Sequence, residues 1–295
     1  MVCTGLLRCA DNNDALTGNA ALKKMSTDTT LFELCAVSYQ YSEINALENM
    51  TLVVGKGERI AVLGANGSGK STLLHLLAAL AFPSRGTISF CGKPLTEEAF
   101  RDDAFGFDFR HRVALIFQNP DVQLFNPTVF DEVAFGPLQM RWPKAQIIER
   151  VDAVLASLQI EHLKHRAPHR LSGGEKKRVA LASVLVVDPE VLLLDEPTAA
   201  LDPQSQSQMI DFLINCGGVK TVISSTHELH IVEDIADRCV VLKDGRISAD
   251  GTPAHILANE DLLNETHLLH AHRHRHPSGI VHSHSHLHRG HDHTH

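Results

Sequence analysis

One stretch constrains this chain more than any other: Gly64-Ala65-Asn66-Gly67-Ser68-Gly69-Lys70-Ser71-Thr72. It fits G-x-x-x-x-G-K-[ST] at every fixed position, the pattern of a loop that cradles phosphates. Its flanks fit as well. Arg59-Ile60-Ala61-Val62-Leu63 reads as a buried strand, and from Lys70 onward Leu73, Leu74, Leu77 and Leu80 recur at helical spacing. Such a strand delivers the loop to a helix N-terminus, where unpaired backbone N–H groups and the positive end of the helix dipole favour an anion. The glycines let the backbone close around it. Lys70 reaches the β- and γ-phosphates, and the Ser71 hydroxyl is placed for Mg²⁺. A glycine-rich turn that matched by chance would lack this strand–loop–helix setting.

Around the loop, strands and helices alternate. Residues 31–41, 50–54, 86–91, 113–117, 191–194 and 221–225 read as strands, and 239–242 and 246–248 flank the hairpin signal Asp244-Gly245. Ile147, Ile148, Val151, Val154, Leu155 and Leu158 recur every three or four residues, which predicts an amphipathic helix. Residues 175–187 and 205–214 read as further helices. The alternation predicts an α/β domain with a mainly parallel sheet. Helix dominates between Gln118 and Leu171, so a helical subdomain over about 119–180 is expected inside the core. Polar residues 1–30 read as a disordered extension, with Met25 as an alternative start to Met1. Residues 31–265 read as the folded domain, and 266–295 as a flexible tail.

Composition narrows the function. A net charge of −8 and an aromatic content of 5% argue against a nucleic-acid binder. Six scattered cysteines contain no CxxC, so neither a thiolate zinc site nor a disulfide framework is expected. No apolar run is long enough to span a bilayer, and residues 1–24 lack a signal peptide's apolar core. A cytosolic protein that docks onto a membrane partner fits these features.

A second nucleotide element follows at Leu192-Leu193-Leu194-Asp195-Glu196-Pro197. A buried strand would hold Asp195 at its C-terminal end, where open α/β sheets bind ligands, and a carboxylate there can hold Mg²⁺. Glu196, one residue on, is placed to orient and deprotonate an attacking water.

Leu171-Ser172-Gly173-Gly174-Glu175 resembles the signature of ATP-binding-cassette ATPases, and the family's other elements surround it in order. Tyr41 stands where an aromatic stacks on adenine, with Tyr39 as an alternative. Gly64–Thr72 matches Walker A, Gln118 the Q-loop glutamine, Asp195-Glu196 Walker B, Ala200-Leu201-Asp202 the D-loop and His227 the switch histidine. Glu175 replaces the commoner glutamine, and Ala199 and Ala200 stand where serine or glycine is frequent. The resemblance covers about residues 31–260. It implies a P-loop cassette with a RecA-like core, an antiparallel β subdomain and an inserted helical signature subdomain. It also implies two cassettes sandwiching two ATP molecules head to tail, as a homodimer or a paired subunit. Ser172, Gly173 and Gly174 of one cassette, with Asp202 nearby, would then face the γ-phosphate held by Lys70 of the other. Mg²⁺ would rest on Ser71, Gln118 and Asp195, while Glu196 activates water and His227 contacts the γ-phosphate.

Gln118-Asn119-Pro120-Asp121-Val122-Gln123-Leu124-Phe125 and Asp131-Glu132-Val133-Ala134-Phe135-Gly136-Pro137 resemble the energy-coupling-factor branch. That resemblance implies a transmembrane scaffold and a substrate-binding membrane subunit as partners, with this chain peripheral on the cytoplasmic face. Twelve of the 20 histidines lie in residues 267–295. His272, His274, His276, His282, His284, His286, His288, His291, His293 and His295 alternate with other residues, and neutral imidazole suits Ni²⁺, Zn²⁺, Cu²⁺ and, less strongly, Co²⁺. Within this branch such a tail points to nickel or cobalt uptake. The alternative is another importer, for a vitamin or zinc, with the tail as buffer or sensor. A DNA-repair or chromosomal cassette would need a long coiled coil between Walker A and the signature. A ribosome-associated factor would need two cassettes, and a metal store would not need complete ATPase motifs.

Overall fold

The computed structural model describes residues 29–269 in full and the backbone of 271–275 and 281–285. The chain opens with β1 (Thr30–Tyr41) and β2 (Ile44–Gly55), and β3 (Arg59–Leu63) leads through the phosphate loop into α1 (Lys70–Leu77). Next come β4 (Arg85–Phe90), β5 (Lys93–Pro94), α2 (Asp103–Arg112) and β6 (Val113–Ile116). A helical stretch follows: α3 (Val129–Gln139), α4 (Lys144–Ser157) and α5 (Gly173–Leu185). The chain returns through β7 (Val191–Asp195), α6 (Pro203–Asn215), β8 (Thr221–Thr226), α7 (Val232–Ile235), β9 (Arg238–Lys243) and β10 (Arg246–Gly251). It continues with α8 (Pro253–Leu257) and α9 (Glu260–Glu265), then β11 (Ala271–Arg275) and β12 (Val281–Ser285).

The central sheet has six strands in the order β10-β9-β3-β8-β7-β6. All neighbours are parallel except β10, which pairs antiparallel with β9. This explains the continuous apolar runs. In β3, Ile60 and Val62 enter one core, shared with α1 and the antiparallel sheet β2-β1-β4-β5, while Ala61 and Leu63 enter the other, against α5 to α9. In β7, Val191 and Leu193 divide from Leu192 and Leu194 in the same way. A strand covered on both faces has no polar face to show. A third core, with Val133, Val151, Leu155 and Val179, binds α3, α4 and α5 together.

Parallel pairing brings the sequence motifs to one edge. Leu63 pairs with Thr226, Asp195 with Ser225, and Ile116 with Leu194. The phosphate loop, Gln118, Asp195 and His227 therefore leave neighbouring strands at the same end, where ligands of open α/β sheets bind.

Some elements differ from expectation. Leu80 lies beyond the first helix and is 60% exposed, because Ala79 adopts a left-handed φ of 53° and ends it. The strand read at 50–54 begins at Ile44, since pairing with β1 through bulges recruits residues 44–49, a mixed stretch that carries Asn45, Glu48 and Asn49. Residues 103–112, unassigned from sequence, form α2, whose Phe105 and Phe109 join Phe90 and Phe100 in an aromatic cluster. The Asp244-Gly245 hairpin forms as predicted, both residues at positive φ.

Beyond the boundary read at Glu265, Thr266 and Leu268 are buried, Leu268 in the core beside Leu263. In the histidine-rich segment, β11 pairs antiparallel with β12, with His272 opposite His284 and His274 opposite His282. His276, His286, His288, His291, His293 and His295 lie outside the described residues, as does all but the end of the expected N-terminal extension.

Candidate nucleotide site

Glycine geometry sets the backbone of the loop. Gly69 caps α1 at φ 104°, and a Cβ there would strike Ala46 O and Leu47 Cδ2 at 2.7 Å. Only glycine fits this close approach of loop to β2. Lys70, the first residue of α1, is 5% exposed. Its Nζ donates to Gly64 O at 2.8 Å and Ala65 O at 3.0 Å, so the ammonium lies folded over the loop. Burial lowers its pKa, and the nearby Glu196 and Asp195 carboxylates pull the other way. Ser71 and Thr72 follow on the first turn.

Walker B supplies the acidic side. Asp195, the last residue of β7, is buried, and its Oδ1 accepts from Ser225 Oγ at 2.6 Å. The same Oγ accepts the Glu196 N–H at 3.0 Å. Ser225 is fully buried on β8, directly opposite Asp195. Sequence reading missed it. The available signal was its position two residues before His227, on the strand next to Walker B in any such sheet.

Glu196 is the hub. It is 8% exposed and adopts a left-handed φ of 45°. Gln118 Nε2 donates to its Oε2 at 2.9 Å, and His227 Nδ1 lies 3.2 Å from its Oε1. The carboxylate only accepts, so Nδ1 carries the proton of that bond. The Gln118 amide uses its nitrogen on Glu196, which leaves its oxygen available as an acceptor. An amide oxygen, a carboxylate and a hydroxyl, as Gln118, Asp195 and Ser71 offer, are the oxygen donors that suit Mg²⁺.

Tyr41 ends β1 and is 45% exposed, and Tyr39 packs edge-on against its ring, centroids 4.8 Å apart, and against the core. Ser172 caps α5 through a capping box: Glu175 N–H bonds Ser172 Oγ at 3.3 Å, and Ser172 N–H bonds Glu175 Oε2 at 2.7 Å. The backbone bond from Ser172 holds the Glu175 carboxyl below its usual pKa. Glutamate in place of glutamine thus still closes the box. Gly173 begins the helix, and Gly174 packs so tightly that a Cβ would collide with Ser205 Oγ. Asp202 caps α6, accepting from the Gln204 and Ser205 N–H groups at 3.1 and 3.0 Å. Signature and D-loop are therefore packed against each other. Lys70, Gln118, Asp195, Glu196 and His227 gather at the strand ends. A surface cavity of about 320 Å³, lined by Arg150, Asp188, Phe212, Cys216 and Lys220, opens instead at the opposite end of the sheet.

A phosphate loop on a parallel sheet, with paired carboxylates at the same end of the sheet one strand further over, defines a P-loop nucleoside triphosphatase. The chain belongs to the ABC transporter family, whose model matches residues 47–199. It is 54% identical over 245 residues to the nickel import ATP-binding protein NikO of Rhodobacter capsulatus, spanning 82% of this chain and 96% of that one. It is 41% identical to the energy-coupling factor transporter ATP-binding protein EcfA of Methanoculleus marisnigri, covering 77% and 80%. Among solved structures it resembles cbiO1 of Clostridium perfringens, described as part of the ABC transporter complex cbiONQ. The TM-score is 0.69 at 37% identity, over 81% of this chain and 95% of that one. The protein is an ATPase of this family, working with ATP and Mg²⁺ and resembling energy-coupling-factor ATP-binding subunits. Among the described residues, no helix is long and apolar enough to cross a membrane.

Proposed function

We propose that this chain is the ATP-hydrolysing subunit of an energy-coupling-factor-type importer for nickel or cobalt ions, peripheral on the cytoplasmic face of its membrane scaffold. The observation that carries the catalytic part is the setting of Glu196, held between Gln118 and His227. That setting supports reading Glu196 as the general base for a water attacking a phosphate on the loop. Lys70 neutralises phosphate charge, and His227 orients toward the γ-phosphate. Ser71, Asp195 and Gln118 would hold Mg²⁺, which screens the phosphate oxygens when bound. Tyr41, the more exposed of the pair, stacks on adenine, and Tyr39 supports it.

Signature geometry supports action in trans. Ser172 and Gly173 are exposed at the N-terminus of α5, where N–H groups and the helix dipole suit the γ-phosphate of a second cassette. Gly174 and Asp202 pack behind them, so two copies of the chain would form two composite sites. Beside Gln118, exposed Val122, Phe125, Phe135 and Leu138 form an apolar surface, with Phe125 and Phe135 in edge contact at 5.1 Å. This surface suits the scaffold's coupling helices. Similarity to a nickel import protein and the histidine-rich tail favour a metal ion over a vitamin. In this reading the tail binds Ni²⁺, Co²⁺ or Zn²⁺ as a buffer or sensor.

Metal uptake decides. Co-expressed with its membrane partners, the wild-type chain drives Ni²⁺ or Co²⁺ accumulation, and Glu196→Gln abolishes it. Metal accumulation that persists with the Glu196→Gln chain, or ATP-dependent uptake of a vitamin only, overturns the proposal.

A further inference from the structure

Lys177 is a buried charge that none of the roles above employs. It lies on α5, on the signature helix, and is 6% exposed. Its Nζ donates to three backbone carbonyls: Glu196 O at 3.0 Å, Pro197 O at 3.3 Å and Ala199 O at 2.6 Å. Three acceptors match the three protons of an ammonium, so the group is satisfied without a carboxylate partner. Burial lowers its pKa, while the fields of Glu196 and Glu228 favour the charged form.

The three carbonyls belong to the turn that leaves Walker B. There Glu196 and Ala200 both adopt left-handed conformations, at φ 45° and 57°. Non-glycine residues hold such a conformation only where their surroundings over-determine it. At Glu196 the surroundings do so from both sides, because Ser225 Oγ takes its N–H and Lys177 Nζ takes its C=O. With both ends of the residue fixed, its side chain is aimed between Gln118 and His227.

We propose that Lys177 is the positioning residue for the hydrolytic carboxylate: it holds the Glu196–Ala199 turn in reacting geometry and joins that turn to the signature helix. This rests on reading Glu196 as the group that acts on water. It also has a consequence for coupling. The helix that presents Ser172 to one ATP carries, through Lys177, the backbone of the carboxylate that acts on the other.

The test uses the full-length chain with Mg-ATP. Lys177→Met and Lys177→Gln are each made alone and with Glu196→Gln, and steady-state and single-turnover rates are measured with thermal melts. Misplacing a reacting group by about 1 Å can cost ~10²-fold in rate, so Lys177→Met should lower kcat by at least about tenfold. KM for ATP should stay within about twofold, because the phosphate loop is untouched. The glutamine amide still reaches carbonyls and recovers part of the loss. In the Glu196→Gln background, Lys177→Met should change the residual rate by less than about twofold, because it acts through a group already removed. The proposal is overturned if Lys177→Met folds and retains full kcat, or slows Glu196→Gln by the same factor as it slows the wild type. If the methionine variant does not fold, the glutamine variant in both backgrounds makes the same comparison. Normal hydrolysis by Glu196→Gln alone would remove the reading of Glu196, a different result from independence of Lys177.

Discussion

Replacing Ser225 by alanine probes the carboxylate side of the site while leaving the phosphate loop and Lys70 in place. The substitution removes a single oxygen from a fully buried position. Two bonds go with it, the 2.6 Å donation to Asp195 Oδ1 and the 3.0 Å acceptance from Glu196 N–H. A hydrogen bond to a charged group stabilises by about 1.5–3 kcal/mol, and the orphaned N–H adds about 1–3 kcal/mol of uncompensated desolvation. Water entering the space left by the hydroxyl offsets part of this. A net loss of about 2–4 kcal/mol in folding stability is expected, within reach of a denaturant titration. The functional effect should fall on both partners: kcat drops because the Glu196 N–H loses its anchor, and the metal effect is read separately from the Mg²⁺ midpoint. Asp195 loses the bond that fixes its carboxylate, and removing an outer partner of a metal ligand typically costs about 10–100-fold in metal affinity or activity. The Mg²⁺ concentration for half-maximal ATP hydrolysis should therefore rise by about that factor. ATP binding measured in EDTA with a fluorescent analogue should not change, since Lys70 and the loop are intact. A folded Ser225→Ala protein whose Mg²⁺ midpoint matches wild type would show that Asp195 is oriented by other means, and the argument from this hydrogen bond would be wrong.

Glu196→Gln should retain ATP binding and lose at least the ~10²-fold contributed by a general base, with ATP-bound dimer accumulating on gel filtration; near-normal turnover would refute its role. Ser172→Arg and Lys70→Ala should each be inactive, while their mixture regains one composite site; a mixture as inactive as either parent argues against the head-to-tail dimer or requires that both sites be intact. Truncation after Leu269, which spares buried Thr266 and Leu268, should leave basal ATP hydrolysis unchanged and remove most Ni²⁺, Co²⁺ and Zn²⁺ binding by calorimetry. Binding by the intact chain should weaken as pH falls through about 6.5, when imidazole is protonated. The Arg59 guanidinium, bonded to Asp237 at 3.0 and 2.7 Å, holds that carboxyl below its usual pKa. Its stabilisation is therefore fully present above about pH 4 and is lost as pH falls through the lowered native value. Asp237→Asn should lower stability at pH 7 by about 1 kcal/mol or less, the pair being partly exposed, and the gap in melting temperature should close in acid.

Much of the site was legible because its chemistry is contiguous. The phosphate loop, Walker B and the signature each place their reactive groups within a few residues, and local rules of strand, turn and helix N-terminus determine their conformation. The apolar runs at Ile60–Leu63 and Val191–Leu194 also announced a doubly covered parallel sheet, because a strand buried on both faces cannot alternate.

Other features depended on distant neighbours. Phe105, Phe107 and Phe109 alternate as in a strand, yet they lie on α2, where Phe109 is buried and Phe107 is 52% exposed. Packing against Phe90 and Phe100 outweighed the local pattern. Ser225 and Lys177 are an ordinary strand serine and an ordinary helix lysine by any local measure. Their partners, Asp195 and the Glu196–Ala199 turn, are decided by the parallel register of β7 with β8 and by the seating of α5. The identities and spacing of residues 64–72, 171–175 and 195–196 determined which reaction the chain supports. Tertiary structure alone decided what holds Glu196 in place, because a hydrogen bond between residues far apart in sequence exists only once the sheet has set their distance.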